Sequence, residues 1–94
     1  MYEKSEWDEN NAVLNWHRHG IAFEMACDVF NNTFAIEWSD PGQDEGKERF
    51  VTVGMVEDCL LFVSSTMRRE QIRVISARKA EPRERRRFHD ENQA

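Results

Sequence analysis

The stretch "RFVTVGMVEDCLLFVSSTMRREQIRVISA", residues 49–77, says most about the fold. It contains three runs rich in Val, Ile, Phe and Thr, the residue types favoured in strands, at 49–56, 60–66 and 71–77. Only "EDC" and "MRRE" separate the runs, and connections this short join neighbouring strands as antiparallel hairpins. The stretch therefore predicts three strands of an antiparallel meander.

A further strand and an acidic loop precede this stretch. "TFAIEW", residues 33–38, alternates and is rich in strand formers, which predicts a fourth strand. "SDPGQDEGKE", residues 39–48, is rich in turn residues and carboxylates, which predicts a mobile acidic loop. We therefore expect a four-stranded antiparallel sheet.

Both ends of the chain have the patterns of helices. Near the N-terminus, capping residues, apolar residues at helical spacing and Gly20 predict a helix at about 10–19. Apolar side chains at i, i+3, i+4 and i+7 predict a second short helix from Phe23 to Phe30. At the C-terminal end, Pro82 suits a first helical turn, so a basic terminal helix is expected at about 82–92.

The order helix, helix, four strands, helix predicts an α+β fold. A chain of 94 residues can build one modest core but not two, so residues 1–94 are expected to form a single domain. The two leading helices are expected to cover one face of the sheet and to leave the other face available.

Charge is divided unevenly along the chain. Residues 1–67 hold 4 basic and 13 acidic side chains, whereas residues 68–87 hold 9 basic and 3 acidic ones. Although the formal net charge is −5, this distribution focuses positive potential on one side of a small domain. Segment 68–87 is therefore a candidate site for a polyanion.

Several classes of protein are made improbable by the sequence. No run approaches the roughly 20 apolar residues that span a bilayer, and "MYEKSEWDENN" lacks the order of a signal peptide, so we expect a cytoplasmic protein without membrane contact. Cys27 and Cys59 stand alone, which favours reduced structural thiols. His17 and His19 form His-x-His without an evident third ligand, so no metal or other cofactor is expected.

Five cations are expected along one edge of the sheet, over its full length. Guanidinium groups bind phosphate oxygens bidentately and stay charged while a transition state gathers negative charge. The alternative is that each cation pairs with a carboxylate, although few acids lie nearby in sequence. The five are Arg68 and Arg69 before the last strand, Arg73 within it, and Arg78 and Lys79 after it.

Arginines also crowd the terminal helix, where they cannot all share one face. Arg83 and Arg87 are i, i+4 neighbours that repel unless a polyanion or an acidic partner bridges them. The helix therefore favours a protein or nucleic-acid partner.

A histidine is the natural candidate for proton transfer, because imidazole titrates near neutrality. His19 precedes the helix-ending Gly20, where it could reach toward the sheet or could simply cap and pack. Glu24 is the nearest carboxylate in sequence and could orient His19 or merely cap a helix. Nothing resembles a serine or cysteine triad or a phosphate-binding glycine loop, so an acyl-transfer hydrolase is unsupported.

With these residues identified, the chain resembles the BrnT family, the toxin half of type II toxin-antitoxin pairs, which is similar in fold to the RelE ribonucleases. The resemblance covers nearly everything from Trp7 to Phe88. Three segments carry it in order: "WDENNAVLNWHRHGIAFEMA" at 7–26, "DEGKERFVTVG" at 44–54 and "IRVISARKAEPRERRRF" at 72–88.

The resemblance implies a metal-independent endoribonuclease that cleaves RNA and inhibits translation. It also implies a BrnA-like antitoxin of the ribbon-helix-helix type, through which alone the toxin would contact DNA. In our assignment the catalytic residues are His19 and Glu24 as base or acid, with Arg73 and Arg78 on the phosphate. The remaining RNA-binding positions are Arg68, Arg69, Lys79, Arg83 and Arg85.

Two positions depart from the usual family pattern. Arg18 stands where the family usually has lysine, which keeps the charge but removes a convenient base. Phe88 stands where relatives usually have tyrosine and supplies no phenolic proton or hydrogen bond. If that tyrosine takes part in catalysis, the resemblance implies weak activity here.

A function of another class stays open. The basic edge and helix could belong to a non-catalytic module that binds an acidic protein or a nucleic-acid backbone, with salt-sensitive association and no cleavage. The basic edge could also be the surface on which the antitoxin docks, which is compatible with ribonuclease activity.

Overall fold

The computed structural model describes residues 5–40 and 48–93, which contain five strands, three α-helices and one 3₁₀ helix. The predicted α+β class is confirmed. Residues 41–47 of the predicted acidic loop lie outside the described residues, and Ser39 and Asp40 belong to a strand instead. In chain order the elements are β1 (Ser5–Trp7), α1 (Glu9–His19), α2 (Phe23–Ala26), the 3₁₀ helix (Cys27–Asn31), β2 (Ile36–Asp40), β3 (Arg49–Val56), β4 (Cys59–Arg68), β5 (Gln71–Lys79) and α3 (Pro82–Asn92).

The sheet has the strand order β1-β5-β4-β3-β2. Strands β2 to β5 form the predicted antiparallel meander. β1 pairs in parallel with β5, with Ser5 opposite Ile72 and Trp7 opposite Val74, so the prediction of four antiparallel strands is wrong. A strand of three residues is too short to show alternation, and its partner lies at the other end of the chain.

Two-residue turns make the hairpins tighter than the sequence suggests. Glu57 and Asp58 have φ of 49° and 68°, and Arg69 and Glu70 have φ of 54° and 65°. Positive φ at both central residues is the requirement of a type I′ turn, whose twist matches that of the flanking strands. Pairing therefore continues to the turns, so β4 runs from Cys59 to Arg68. At its far end, β5 pairs with β4 through Lys79 instead of ending at residue 77.

The first predicted helix is confirmed as α1. Asp8 caps it, since its side chain accepts hydrogen bonds from the backbone amides of Asn10 and Asn11 at 2.8 and 3.3 Å. Gly20 ends it at φ 68°, and its amide donates to the Trp16 carbonyl at 2.8 Å.

The second predicted helix differs in type. Instead of one α-helix from Phe23 to Phe30, α2 is followed by the 3₁₀ helix. The buried side chains are Phe23, Ala26 and Val29, which are three residues apart, as 3₁₀ geometry requires. The change of period therefore buries Val29 where the α-helical pattern predicted Phe30.

Both faces of the sheet bury apolar side chains. On one face, here called the α1 face, Leu61, Val63 and Val74 pack against Phe23 and Val29. The other face, here called the α3 face, packs its own cluster around Phe88 of α3. That cluster holds Ile36, Val51, Val53, Leu60 and Phe88. The expectation of an available second face is thus wrong for the part that α3 covers, because Phe88 is buried there and Glu84 of α3 binds Arg78 of β5.

Asn15 joins α1 to β5 where β1 has ended. Its side-chain amide donates to the carbonyls of Ala77 and Ile21 at 2.9 and 3.0 Å, and its oxygen accepts from the Ala77 amide at 3.0 Å. The side chain of Asn15 therefore makes the two hydrogen bonds with Ala77 that a neighbouring strand would make. Asn15 is buried, and without it the backbone amide and carbonyl of Ala77 would be unpaired, which costs free energy.

None of the helices in residues 5–40 and 48–93 has both the length and the apolar character needed to cross a membrane.

Candidate nucleic-acid interface

A β-bulge in β5 decides which way its arginines point. Ser64 pairs with Ser76 whereas Ser65 pairs with Val74, so Ile75 is an extra residue without a partner on β4. Arg73 and Arg78 are an odd number of residues apart and would point to opposite faces of a regular strand. The bulge places both side chains on the α3 face, opposite Thr66 and Phe62 of β4.

Arg73 is held by the N-terminal strand. Its guanidinium donates to Glu6 at 3.1 Å and lies 3.9 Å from the carboxylate of Asp8. Since β1 covers β5 from Ile72 to Val74, this part of β5 is not the edge of the sheet. The expected edge of cations along the whole strand is therefore wrong, and the charge of Arg73 is matched by acids remote in sequence.

Arg78 is held by α3. Its guanidinium makes two hydrogen bonds with Glu84, at 2.9 and 2.8 Å, and lies 4.0 Å above the centre of the Phe62 ring. It also lies 3.9 Å from Glu81. The hydrogen bonds with Glu84 raise the pKa of Arg78, so it stays fully charged.

Glu84 is the buried acid of this arrangement, with 7% of its surface exposed. It also accepts a hydrogen bond from the backbone amide of Glu81 at 2.8 Å, which completes the N-terminus of α3. Burial favours a raised pKa for Glu84, but the hydrogen bonds from Arg78 and the Glu81 amide and the charges of Arg78 and Arg83 outweigh it and lower the pKa. Glu84 is therefore an anion at neutral pH.

A cleft of about 370 Å³, here called the α3 cleft, opens between this ion pair and β2. Trp38 and Phe62 meet edge to face at 6.3 Å beside the buried Val51. Arg87 lies 4.0 Å above the Trp38 ring and donates through Nε to Glu91 at 2.9 Å. The cleft is lined by Trp38, Asp40, Val51, Phe62, Arg78, Arg83, Glu84 and Arg87.

The composition of the α3 cleft suits a polyanion that carries planar groups. The guanidinium groups of Arg83 and Arg87 can bind phosphate oxygens, whereas that of Arg78 is already bound by Glu84. Aromatic rings and guanidinium planes can stack with bases. Arg83 and Arg87 lie on the same side of α3 and face this cleft, and Arg87 has an acidic partner within the helix, Glu91.

His19 is the last residue of α1. It is exposed at the end of α1, four residues beyond Asn15, which corresponds to about 6 Å along the helix axis. Asn15 binds the backbone of Ala77, whereas the side chain of Arg78, the next residue, points to the opposite face of the sheet, so α1 and the α3 cleft lie on different sides of β5. Within the described part of the chain, no hydrogen bond or ion pair joins His19 to a residue of the α3 cleft.

Glu24 lies elsewhere. It lines a separate cleft of about 320 Å³ with Ser5, Trp7, Cys27 and Asp28 on the side of α2. Glu24 and the neighbouring carboxylate of Asp28 are therefore not part of the α3 cleft.

The other predicted RNA-binding residues are dispersed. Arg68 ends β4 and Arg69 lies in the turn, about 20 Å along β4 from Phe62. Lys79 is opposite Leu61, so it points away from the α3 face. Arg85 is exposed on α3 and does not line the α3 cleft, whereas Arg83 does.

Trp38 and Phe62 line the α3 cleft although the sequence did not single them out, and Arg87 lines it although it was not among the predicted RNA-binding residues. Trp38 and Phe62 lie in runs of strand formers, where an aromatic residue has the same pattern whether it packs or binds. The detectable signal was Arg87 at i+4 from Arg83, since it indicated two cations on one face of α3.

Neither cysteine belongs to the α3 cleft. Both are free thiols, and burial, with the charges of Asp28 and Glu24, raises the pKa of Cys27 despite its hydrogen bond with Ser5. In residues 5–40 and 48–93, no group of three or more His, Cys, Asp or Glu side chains is arranged to hold a metal ion.

The fold and the site thus define a small α+β domain with an arginine-lined and aromatic-lined cleft between its sheet and its terminal helix. A family model described as "Ribonuclease toxin, BrnT, of type II toxin-antitoxin system" matches residues 7–84, and the chain belongs to this family. The match runs from Trp7 in β1 to Glu84 in α3, so it includes Arg73, Arg78 and most of the cleft. Comparison with curated proteins finds no match.

Proposed function

We propose that this toxin is an endoribonuclease that binds RNA at the α3 cleft and cleaves it without a metal ion, in the cytoplasm. The observation that carries the proposal is the set of guanidinium groups from β5 and α3 that converge on one cleft with two aromatic rings. Membership of the BrnT family supports the same activity.

The chemical steps of RNA cleavage can be assigned to a few side chains. Metal-free cleavage begins when the ribose 2′ oxygen attacks phosphorus and loses its proton to a base, and it ends when the bond to the 5′ oxygen breaks and that oxygen takes up a proton. The products are a 2′,3′-cyclic phosphate and a 5′ hydroxyl. Arg83 is the proposed group that stabilises the added negative charge on the phosphorane. Arg78 contributes to the same stabilisation only where the phosphate displaces Glu84 from its guanidinium.

We assign proton transfer to His19 in preference to Glu24. Imidazole is the commonest general acid or base, and His19 is exposed at the end of α1, which supports His19. Glu24 lines the separate cleft on the side of α2. Phe88 is 6% exposed in the apolar cluster under α3, so this position serves packing here.

An antitoxin partner follows from the family, and we propose that it is a BrnA-like ribbon-helix-helix protein that contacts the basic surface of α3. Exposed Arg85 and Arg86 are available for this contact while Arg83 and Arg87 face the cleft. DNA would then be bound only through the antitoxin. Copurification of a small protein encoded by the adjacent reading frame tests this, and a neighbour of unrelated fold would contradict it.

The experiment for cleavage uses the purified chain with single-stranded RNA in EDTA, and expression without an antitoxin. We expect RNA fragments with 2′,3′-cyclic phosphate ends and arrested growth. His19→Gln is expected to lower cleavage by about 10²-fold or more, the typical contribution of a general acid or base, with His89→Gln as the matched control. Arg83→Ala is expected to weaken cleavage, whereas Arg86→Ala on the same helix is not.

A non-catalytic binding module is the competing function. The pairing of Arg73 and Arg78 with carboxylates favours the binding module, because these are the two arginines that the sequence assigned to the phosphate in catalysis, and both are already paired within the molecule. It predicts salt-sensitive RNA binding that is indifferent to His19→Gln. Intact RNA at enzyme excess, together with normal growth, would rule out the ribonuclease.

A further inference from the structure

Two guanidinium groups in the α3 cleft lie over aromatic rings, which phosphate binding does not require. The carbon at the centre of each guanidinium lies 4.0 Å from a ring centre, Arg87 over Trp38 and Arg78 over Phe62. A guanidinium is planar, so the group that covers one ring retains a second face for another planar group.

The two pairs of arginine and ring differ in how firmly the arginine is held. Arg78 has both Nη groups bound by Glu84, and 27% of its side chain is exposed. Arg87 donates to Glu91 through Nε, and 48% of its side chain is exposed. Within residues 5–40 and 48–93 its Nη groups make no hydrogen bond. The guanidinium of Arg87 therefore rests over the Trp38 ring while its Nη groups can donate hydrogen bonds to a ligand.

We propose that Trp38 and Arg87 form a stacking platform for one nucleobase of the RNA, with the guanidinium between the indole ring and the base. This inference rests on the proposed function and extends it from phosphate charge to recognition of a base. Bases stack on aromatic side chains and on guanidinium planes, and single-stranded RNA exposes them.

The dimensions of the α3 cleft suit this ligand, and its lining carries three guanidinium groups against the two carboxylates of Asp40 and Glu84, of which Glu84 is paired with Arg78. Its volume of about 370 Å³ lies within the range of about 300–1,000 Å³ that is usual for small-molecule sites. Val51 supplies an apolar floor, and Arg83 stands one helical turn before Arg87 to meet the attached phosphate. Because stacking tolerates every base, we expect a graded preference for purines, whose larger rings overlap more, and no strict sequence requirement.

The test measures binding of the full chain to a short 2′-O-methyl RNA, which cannot be cleaved. Arg87→Lys keeps the charge and removes the plane, and Arg86→Lys is the matched change on the same helix. Loss of base stacking lowers affinity by about 5-fold to 150-fold, so we expect a loss of this size for Arg87→Lys and none for Arg86→Lys. Trp38→Leu is expected to act like Arg87→Lys, and Trp38→Phe to retain most of the affinity.

Inorganic polyphosphate is the second probe, because it offers phosphate charge without bases. We expect Arg87→Lys to leave polyphosphate binding unchanged. Equal losses on RNA and polyphosphate, or equal affinities of Arg87→Lys and Arg86→Lys for RNA, would overturn the platform. Preferential binding of polyglutamate at the cleft would also overturn it in favour of an acidic protein partner.

The outcomes separate this inference from the proposed function. Cleavage of RNA with no difference between Arg87→Lys and Arg86→Lys would remove the platform and keep the ribonuclease. A loss of RNA affinity specific to Arg87→Lys, in a chain that never cleaves RNA, would keep the platform and remove the ribonuclease.

Discussion

The ion pair of Arg78 and Glu84 is the most constrained pair of residues in the α3 cleft. Both oxygens of Glu84 accept from the guanidinium, and one also accepts from the Glu81 amide. An RNA phosphate must therefore compete with Glu84 for Arg78, while Arg83 and Arg87 offer their charge more freely. The same pair connects β5 to the first turn of α3, so it serves stability as well as binding.

Glu84→Gln is expected to destabilise the fold by about 1.5–3 kcal/mol at neutral pH, because it removes hydrogen bonds between charged groups and leaves Arg78 without its anion. Folding lowers the pKa of Glu84, so its stabilisation is complete above the unfolded value of about 4.3 and is lost as pH falls through the folded value. Urea unfolding of both proteins at neutral pH and at about pH 3 checks this.

The difference between wild type and Glu84→Gln should shrink in acid, whereas Glu91→Gln, at the exposed partner of Arg87, should change stability by less than about 1 kcal/mol. An equal difference at both pH values would contradict the assignment of Glu84 as a stabilising anion.

Gly54→Ala is expected to destabilise the fold by about 1–3 kcal/mol through overpacking. A Cβ at this position would lie 2.9 Å from Val29 Cγ2 and 3.0 Å from Ala35 Cβ, closer than real contacts allow. The double variant with Val29→Ala should be less unstable than the sum of the single variants, because the smaller residue makes room. Thermal unfolding measures both quantities, and a Gly54→Ala protein of wild-type stability would refute the packing argument.

Among the elements, β5 depends on three neighbours for its orientation. β1 covers its first half, Asn15 of α1 binds Ala77 in its second half, and the bulge at Ile75 turns the side chains between them. Without the bulge, Arg78 would point to the α1 face and could not meet Glu84 or Phe62. The site therefore depends on one extra residue in a strand.

The turn between β3 and β4 can be improved. Glu57 and Asp58 adopt positive φ, which costs about 1–2 kcal/mol for an L residue without special tolerance. The double substitution Glu57→Asn with Asp58→Gly suits a type I′ turn and should stabilise the protein by about 1 kcal/mol. For a domain of this size that corresponds to a rise in Tm of about 4–8 °C.

The control for the turn is Asp58→Ala, which keeps the strain and should give no increase in Tm. A lower Tm for the double variant than for the wild type would show that Glu57 and Asp58 contribute a favourable interaction that outweighs their backbone conformation.

For the whole molecule, the uneven charge distribution is partly balanced by folding. Carboxylates from the N-terminal segment and from α3 pair with Arg73 and Arg78. The cations that remain for a ligand in the α3 cleft are chiefly Arg83 and Arg87, although segment 68–87 carries nine basic residues. A chain of net charge −5 should therefore bind RNA only at a restricted surface.

RNA binding should depend on salt only moderately. Each phosphate contact on a single strand contributes a slope of about −0.7 to log K against log salt, so two contacts predict about −1.5. Arg83→Ala should reduce the slope by about 0.7, and Arg86→Ala should leave it unchanged. Titration of a 2′-O-methyl RNA at several salt concentrations measures the slope, and a value steeper than about −4 would show that the wider basic surface also binds.

Sequence patterns predicted the elements whose residues contact near neighbours along the chain. The antiparallel meander, α1 with its caps and α3 follow from alternation, helical spacing and turn or cap residues, all of which are local signals. β1 and the ion pairs of Arg73 could not be predicted, because Glu6 and Arg73 are far apart in the chain and meet only through strand pairing. Of the residues that line the α3 cleft, Arg78 and Arg83 are ones that the sequence assigned to RNA, a role that stays a prediction, whereas Trp38 and Phe62 were indistinguishable from packing residues.

Periodicity and charge along the chain were sufficient for the α+β class and the basic terminal segment, because these properties belong to single residues and short segments. The resemblance to a ribonuclease toxin came from three sequence segments, at 7–26, 44–54 and 72–88. The folded chain alone determined that α3 covers the second face, that Arg73 is neutralised, and that Arg78, Arg87, Trp38 and Phe62 share a cleft. The physical reason is that side-chain direction changes with one bulged residue, and that charge pairing depends on distances in space which sequence separation does not encode.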